Sequence, residues 1–128
     1  MIDVECEIWI PAARPDVIRA DNVDRLRTRL VLQGANIAVT AEAEARLHAR
    51  GVLVVPDFIA NAGGVICAAV EYGGGTEAAA FETIAEKIRA NTAQVLDAAE
   101  RDGVPPRQAA VDLALWRVRS AMRYRRWS

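Results

Sequence analysis

The sequence predicts an α/β fold in which a partial parallel sheet of about three strands is followed by a carboxy-terminal helical segment. Three short apolar runs, at residues 8–10, 30–32 and 52–55, indicate the strands. None of them alternates between apolar and polar residues, which is typical of strands covered on both faces in a parallel sheet. No further strand is predicted after Pro56.

Turns and helices connect the predicted strands. Residues 14–29 contain a turn and a short helical stretch, and residues 40–50 have the pattern of a helix. Thr40 can cap this helix at its amino end, and Gly51 ends it. A helix between two parallel strands is the crossover unit of α/β domains, so the connections agree with the predicted sheet.

Three helices are predicted beyond Pro56. The first begins at Asn61 and runs to Tyr72, where three consecutive glycines, residues 73–75, end it. The second is a long helix over residues 76–101, with apolar residues at steps of three or four. The third begins at Pro105-Pro106 and runs to about Arg126, because proline suits the first turn of a helix.

The composition argues against several classes of protein. The 128 residues are 52% hydrophobic, which is sufficient for a core, and the formal net charge of -1 gives no general attraction to nucleic acid or membranes. No apolar run approaches the roughly 20 residues that cross a bilayer. The amino terminus has no basic region and no apolar signal core, so a cytoplasmic location is expected.

Cysteine and histidine offer no catalytic or metal site in this sequence. Cys6 and Cys67 form no Cys-x-x-Cys pair, and both are expected to be buried small hydrophobic residues. The single histidine, His48, is expected on the surface of a helix. We therefore expect neither a metal site nor a Cys/His active site.

Small and turn-forming residues follow each predicted strand. These segments are Pro11-Ala12-Ala13, Gly34-Ala35-Asn36 and Pro56-Asp57. In an open parallel sheet, ligands bind outside the carboxyl ends of the strands. The amide of Asn36 can bind a carboxamide or a ribose hydroxyl. Asparagine is also common in turns that bind nothing, and for this residue taken alone the turn is the better interpretation.

Two glycine-containing segments are further candidates. Asn61-Ala62-Gly63-Gly64 can let a ligand approach bare amide groups at a helix start, but for this segment taken alone a cap with close helix packing is the better interpretation. The triplet at residues 73–75 resembles a phosphate loop only superficially, because no Lys-Ser or Lys-Thr follows it. We predict that this triplet is a hinge between two helices.

Five arginines lie near the carboxyl end of the chain. They are Arg117, Arg119, Arg123, Arg125 and Arg126. Such a group can form a basic patch for nucleic acid, but it also suits the solvated face and carboxyl end of a helix. The second interpretation is preferred, with Trp116 and Trp127 packed and not stacked on bases, so no nucleic-acid partner is expected.

Five segments, taken together, resemble the glutamate/leucine/phenylalanine/valine dehydrogenase family. They occur in the family's order and at close to its spacing, at residues 6–13, 33–36, 40–44, 50–57 and 61–65. Any one segment is a weak match, but the ordered set is specific. The resemblance is strong from Cys6 to about Tyr72 and weaker through the helical segment.

This resemblance implies an enzyme that reversibly oxidises an L-amino acid to a 2-oxo acid and ammonium, with NAD or NADP as cofactor. Residues 1–72 would form the second half of a Rossmann-like cofactor domain, and residues 73–128 a helical tail packed on it. A homo-oligomer is also implied. The resemblance assigns the following residues to the cofactor site, with the asparagines near the nicotinamide end: Pro11, Ala12, Ala13, Asn36 and Asn61.

The same resemblance implies that the chemistry needs parts that precede this sequence. The glycine-rich phosphate segment would lie before Cys6, and the catalytic lysine and aspartate would belong to a substrate domain. Lys87, the single lysine, falls in the middle of a predicted helix and does not suit the role of base. Ala68 stands where glutamate enzymes often have a substrate-contacting serine, so the amino acid stays open. The isolated chain is expected to be inactive.

An alternative is a non-catalytic module, derived from such an enzyme, that associates with itself or with a partner. In Rossmann order, the strand at residues 8–10 would pair with a strand that this sequence lacks, which leaves an apolar edge exposed. We predict that the isolated chain pairs this edge with another copy, exchanges segments, or aggregates.

Overall fold

A computed structural model describes residues 2–124 and contains a three-stranded parallel sheet. The strands are β1 (Ile8–Trp9), β2 (Leu30–Leu32) and β3 (Leu53–Val55), and they lie side by side in chain order. Trp9 pairs with Val31, which pairs in turn with Val54. The predicted α/β fold with about three parallel strands and a helical carboxy-terminal part is confirmed.

The connections between strands follow the sequence pattern closely. A single turn of 3-10 helix, Val23–Arg25, lies between β1 and β2. The helix α1 (Ala41–Ala49) lies between β2 and β3, and the Thr40 hydroxyl accepts a hydrogen bond from the Ala43 amide at 3.3 Å. Gly51 follows this helix with a φ of +75°, a conformation that glycine adopts without steric cost.

The helical part begins differently from the prediction. Asn61 was expected to start a helix, but the short helix α2 (Asp57–Ala60) ends there, and α3 (Gly63–Tyr72) begins two residues later. The Asn61 amide donates to the Asp57 carbonyl at 2.8 Å, so this residue closes α2. Its side chain donates a hydrogen bond to the Asn36 side chain and caps no helix.

Two long helices complete the described fold. The helix α4 (Glu77–Asp102) is capped by the Thr76 hydroxyl and ends at Gly103, which has a φ of +63°. The helix α5 (Pro106–Tyr124) begins at the predicted proline, while its predicted end at Arg126 lies outside the described residues. The glycines between α3 and α4 lie in a tight turn. The chain passes so close to itself there that a Cβ on Gly75 would overlap the side chain of Val70.

Apolar side chains cover both faces of β2 and β3. One core cluster joins Val31 and Val54 to Leu47 of α1, and the other joins Val55 to Val95 of α4 and to the first turns of α5. This burial on both faces explains why the strands lack an alternating pattern. Within the described residues β1 is an edge strand, and its Ile8 is 52% exposed.

The surface departs from the prediction at three side chains. Cys6 and Cys67 are half-buried, not buried. Trp116 is 65% exposed, so the prediction that it packs was wrong. The reason is that α5 packs through its first turns, where Ala109 and Ala110 are buried, and its later turns are largely exposed. Trp127 lies outside the described residues.

The arginine-rich part of α5 is a solvent-facing helix face, as preferred from the sequence. Arg117, Arg119 and Arg123 are exposed, while Arg125 and Arg126 lie outside the described residues. The Arg117 guanidinium donates to the Asn91 and Gln94 side-chain oxygens of α4 at 3.0 and 2.7 Å, so it joins the two helices. No helix within residues 2–124 combines the length and the apolar character that a membrane span requires.

Candidate functional site

The carboxyl ends of β1 and β2 meet the start of α3 at one edge of the sheet. The Ala35 amide donates to the Pro11 carbonyl at 2.8 Å, which joins the two strand exits. An open cleft of about 630 Å³ lies at this edge. We call it the strand-end cleft, and its lining includes Ala12, Ala13, Gly34, Asn36, Asn61 and Gly64. Four of the five predicted site residues therefore line one cleft, and Pro11 is buried behind it.

Two asparagine side chains lie together in the strand-end cleft. Asn61 Nδ2 donates a hydrogen bond to Asn36 Oδ1 at 2.6 Å and lies 3.4 Å from the Gly34 carbonyl oxygen. Among the described residues, the Asn36 amide is hydrogen-bonded only through its oxygen, which leaves its two N–H donors for a ligand. A carboxamide or hydroxyl oxygen fits such donors, so the arrangement suits the type of ligand that the sequence suggested.

The backbone beside Asn36 has an unusual conformation. Ile37 has a φ of +52°, in the left-handed region that β-branched residues rarely adopt. Its amide donates to Asp57 Oδ2 at 2.8 Å, and its carbonyl accepts from the Asp16 amide at 2.9 Å. These two hydrogen bonds hold the residue that follows Asn36 in the chain.

Asp57 is a buried carboxylate with two charged or polar partners. Besides the Ile37 amide, it accepts a hydrogen bond from Arg107 Nη2 at its Oδ1, at 3.0 Å. Burial alone raises the pKa of Asp57, but the hydrogen bond from the Ile37 amide and the nearby Arg107 guanidinium outweigh it, so this pKa lies below its ordinary value.

Arg107 joins this carboxylate to a second one. Its Nε donates to Glu44 Oε2 at 2.8 Å, and Gln33 Nε2 also approaches this oxygen at 3.3 Å. Burial lowers the pKa of Arg107, but the hydrogen bonds and charges of Glu44 and Asp57 outweigh it and raise the pKa. We call Gln33, Glu44, Asp57 and Arg107 the Arg107 cluster.

The sequence did not point to the Arg107 cluster. The sequence pattern indicates a turn at Asp57 and an acid suited to the first turn of a helix at Glu44, and it does not single out Arg107. The one available signal was the position of Glu44, one turn before the buried Leu47 on the same face of α1. Its partners lie 11 and 63 residues away in the chain, which local patterns do not reveal.

Other candidates lie apart from the strand-end cleft. His48 is exposed on α1, as predicted, and Lys87 lies in the middle of α4, as predicted, and is exposed. Within residues 2–124, no group of three or more His, Cys, Asp or Glu side chains is arranged to hold a metal ion. Neither His48 nor Lys87 lines the strand-end cleft.

Comparison with known sequences gives a match along nearly the whole chain. The family model described as Glutamate/Leucine/Phenylalanine/Valine dehydrogenase matches residues 1–126. The NADP(+)-dependent glutamate dehydrogenase of Pyrobaculum calidifontis is 41% identical over 130 residues, which cover 96% of this chain and 31% of that protein. The NAD-specific glutamate dehydrogenase of Staphylococcus aureus (strain COL) is 31% identical, over 100% of this chain and 32% of that protein.

Solved structures give the same result. The L-tryptophan dehydrogenase of Nostoc punctiforme matches with a TM-score of 0.85 and 26% identity, over 95% of this chain and 37% of that one. The hetero-hexameric glutamate dehydrogenase of Thermus thermophilus matches with a TM-score of 0.84 and 28% identity, over 99% and 32%. The chain spans about a third of the length of the curated relatives it matches. It belongs to the glutamate/leucine/phenylalanine/valine dehydrogenase family.

Proposed function

We propose that this chain is the second half of the cofactor domain of an NAD(P)-dependent amino-acid dehydrogenase, which reversibly converts an L-amino acid to a 2-oxo acid and ammonium. In this proposal residues 1–72 would be the second half of a Rossmann-like cofactor domain, and residues 73–128 would be a helical tail packed on it. The observation that carries the proposal is the hydrogen bond between Asn61 and Asn36 at the carboxyl ends of parallel strands. The match to relatives named as NADP(+)-dependent and NAD-specific enzymes supports it.

In this proposal the strand-end cleft holds the nicotinamide end of the cofactor. Asn36 and Asn61 would bind its polar groups, and Pro11, Ala12 and Ala13 would form the wall behind them. NAD or NADP supplies the hydride acceptor when it is bound. The residue that distinguishes the two cofactors lies in the first half of such domains, so this chain is compatible with both.

The proposed contribution of this chain is binding and orientation. Hydride transfer also needs the amino acid held against the nicotinamide and a base for its ammonium proton. Lys87 is exposed in the middle of α4 and cannot serve there. We therefore assign proton transfer to a separate substrate domain and expect the isolated chain to be inactive. A cytoplasmic location stays a prediction.

A second candidate function is self-association, and the exposed β1 edge favours it. Ile8 and Ile10 are 52% and 59% exposed at this strand. Within the described residues, β1 pairs only with β2, so its other side offers unpaired backbone groups to a second strand. In a complete dehydrogenase this edge would be covered by the first half of the cofactor domain, and a homo-oligomer would form through other surfaces.

A chimeric enzyme tests the first proposal. This chain would replace the matching third of the Pyrobaculum calidifontis relative, and we expect amino-acid-dependent reduction of NADP. Asn36→Ala should lower kcat/KM for the cofactor by roughly tenfold, the effect of one lost hydrogen bond to a ligand. Asn91→Ala is the matched control, because Asn91 lies on α4 and its side chain accepts from Arg117.

The outcomes separate the two candidate functions. A folded chimera that is active, and is impaired by Asn36→Ala but not by Asn91→Ala, supports the dehydrogenase proposal. A folded chimera without activity contradicts it. Titration of NADH and NADPH into the isolated chain, followed by nicotinamide fluorescence, then shows whether any part of a cofactor site exists.

A further inference from the structure

The turn that carries Asn36 is fixed by side chains from outside it. It runs from Gln33 to Val39, and Ile37 within it has a φ of +52°. The Ile37 amide is bound by the Asp57 carboxylate, whose side chain is only 10% exposed. A left-handed isoleucine persists only where its surroundings impose that conformation, so the Asp57 hydrogen bond is part of what imposes it here.

A second side chain fixes the far end of the same turn. Gln33 is fully buried, and its Oε1 accepts a hydrogen bond from the Val39 amide at 3.3 Å. Its Nε2 faces Glu44 Oε2, also at 3.3 Å. The turn is therefore held at Ile37 by one carboxylate and at Val39 by a glutamine that contacts a second carboxylate.

Arg107 connects these two carboxylates. It lies in the first turn of α5, and one guanidinium reaches Glu44 through Nε and Asp57 through Nη2. Its charged carbon also lies 5.6 Å from the centre of the Phe58 ring. Arg107 and Asp57 do not line the strand-end cleft, so they act on a ligand there through other residues, of which the turn carrying Asn36 is one.

We propose that Asp57 and Arg107 are positioning residues that set the orientation of the Asn36 side chain toward the nicotinamide end of the cofactor. This inference rests on the cofactor-binding function proposed for Asn36. It makes α5 part of the cofactor site, although α5 contributes no side chain to the cleft. Arginine is required because a planar guanidinium bridges two carboxylates, which a lysine ammonium on a flexible stem does not reproduce.

The test compares two ligands in the chimeric enzyme. NADPH carries the nicotinamide, and 2′-phospho-ADP-ribose is the same nucleotide without it. Arg107→Lys should weaken NADPH binding about tenfold, the effect expected when a charge-assisted hydrogen bond is lost, and leave 2′-phospho-ADP-ribose binding unchanged. Arg117→Ala is the control, since Arg117 lies on α5 and, within residues 2–124, its side chain hydrogen-bonds only to α4, so the change should alter neither affinity.

A role in stability alone gives a different result. If Arg107→Lys lowers the affinity for both ligands equally, or lowers neither affinity, the positioning role is overturned. If Asn36→Ala also leaves NADPH affinity unchanged, the function proposed for Asn36 fails first, and the positioning inference fails with it. An effect of Asn36→Ala without an effect of Arg107→Lys overturns the inference alone.

A second measurement needs no cofactor and covers the case of a chimera that does not fold. In the 128-residue chain, amide exchange at Ile37 is compared with exchange at the core residue Val31. Arg107→Lys should speed exchange at Ile37 about tenfold relative to Val31, because the Asp57 carboxylate loses its fixed orientation. Equal changes at both amides would mean that Arg107 does not act on the turn, and would overturn the inference.

Discussion

Gly34 allows the first two strand exits to approach each other closely. A Cβ at this position would lie 3.0 Å from the Ala12 Cβ and 3.5 Å from the Ile10 Cγ2. The Ala35 amide beside it is bonded to the Pro11 carbonyl, so neither backbone can withdraw without losing that bond. Glycine is therefore required at position 34 because two backbone segments of the same chain approach each other closely there.

Gly34→Ala should lower the free energy of unfolding by about 1–2 kcal/mol, since an added methyl group must displace the Ala12 exit. Chemical denaturation followed by circular dichroism would measure it. Gly64→Ala is the matched control, because a Cβ there meets nothing within 4 Å and the residue lies in the first turn of α3. Equal stability of the two variants would show that the exits separate freely.

Single residues divide into those that the sequence identifies and those that it does not. Asn36 and Asn61 are candidates because each stands at a strand exit or a predicted helix start within an ordered set of motifs that resembles the family. Asp57 and Arg107 were missed because a carboxylate in a turn and an arginine near a helix start are ordinary surface patterns. Their contact joins residues 50 apart in the chain, and only the fold brings them together.

At the scale of the element, helix ends are more predictable than the joints between elements. Thr76 and Gly103 bound α4 through contacts within the helix itself, which a local pattern contains. The strand β3 begins one residue later than predicted, because the Val52 amide bonds to the Leu47 carbonyl of α1. The sequence does not predict the break between α2 and α3. At this break the Asn61 side chain donates a hydrogen bond to Asn36, which lies 25 residues earlier, and a local pattern does not contain that contact.

The docking of α5 on the sheet should depend on pH through Asp57. The pKa of Asp57 is lower in the folded chain than the value of about 3.9 expected for an unfolded chain. As pH falls below about 4, the unfolded chain takes up this proton first, so the stabilisation that Asp57 provides is present above that pH and is lost below it.

Asp57→Asn should therefore destabilise the chain by about 2 kcal/mol at pH 7, the typical effect of a lost charge-assisted hydrogen bond. The difference from the wild type should shrink at pH 3. Urea unfolding at both pH values would measure it. Asp112→Asn, an exposed carboxyl on α5 that pairs with Gln108, is the control and should change stability little. If Asp57→Asn destabilises the chain equally at both pH values, the ionised Asp57 carboxylate is not the stabilising group.

At the scale of the whole molecule, the sheet is covered unevenly. Apolar clusters lie on both faces of β2 and β3, while the exposed Ile8 of β1, and Ile10 just after it, lie beside an edge that is unpaired in the described chain. The sequence predicted the parallel order and this edge from the apolar runs and the family resemblance. It did not predict the exposed later turns of α5, because helical periodicity does not say which elements are present to cover a face.

The isolated chain should self-associate through β1. Sedimentation velocity over a range of concentrations should show dimers or larger species, and Ile8→Lys should shift them toward the monomer, since a charge at an edge strand opposes pairing. Val118→Lys is the matched control, because Val118 is 57% exposed on α5 and lies away from the edge. A wild-type chain that stays monomeric at high concentration in light scattering would contradict the prediction.

The position of Arg107 late in the chain also affects how the protein is made. Glu44 and Asp57 leave the ribosome 63 and 50 residues before it. Domains fold from the amino end during synthesis, so the sheet and its strand exits can assemble while their two buried carboxylates still lack a counter-ion. Until translation reaches α5, the carboxylates of Glu44 and Asp57 in the nascent chain have no arginine to pair with. A ribosome stalled before Arg107 would therefore hold an intermediate in which the turn carrying Asn36 is incompletely ordered.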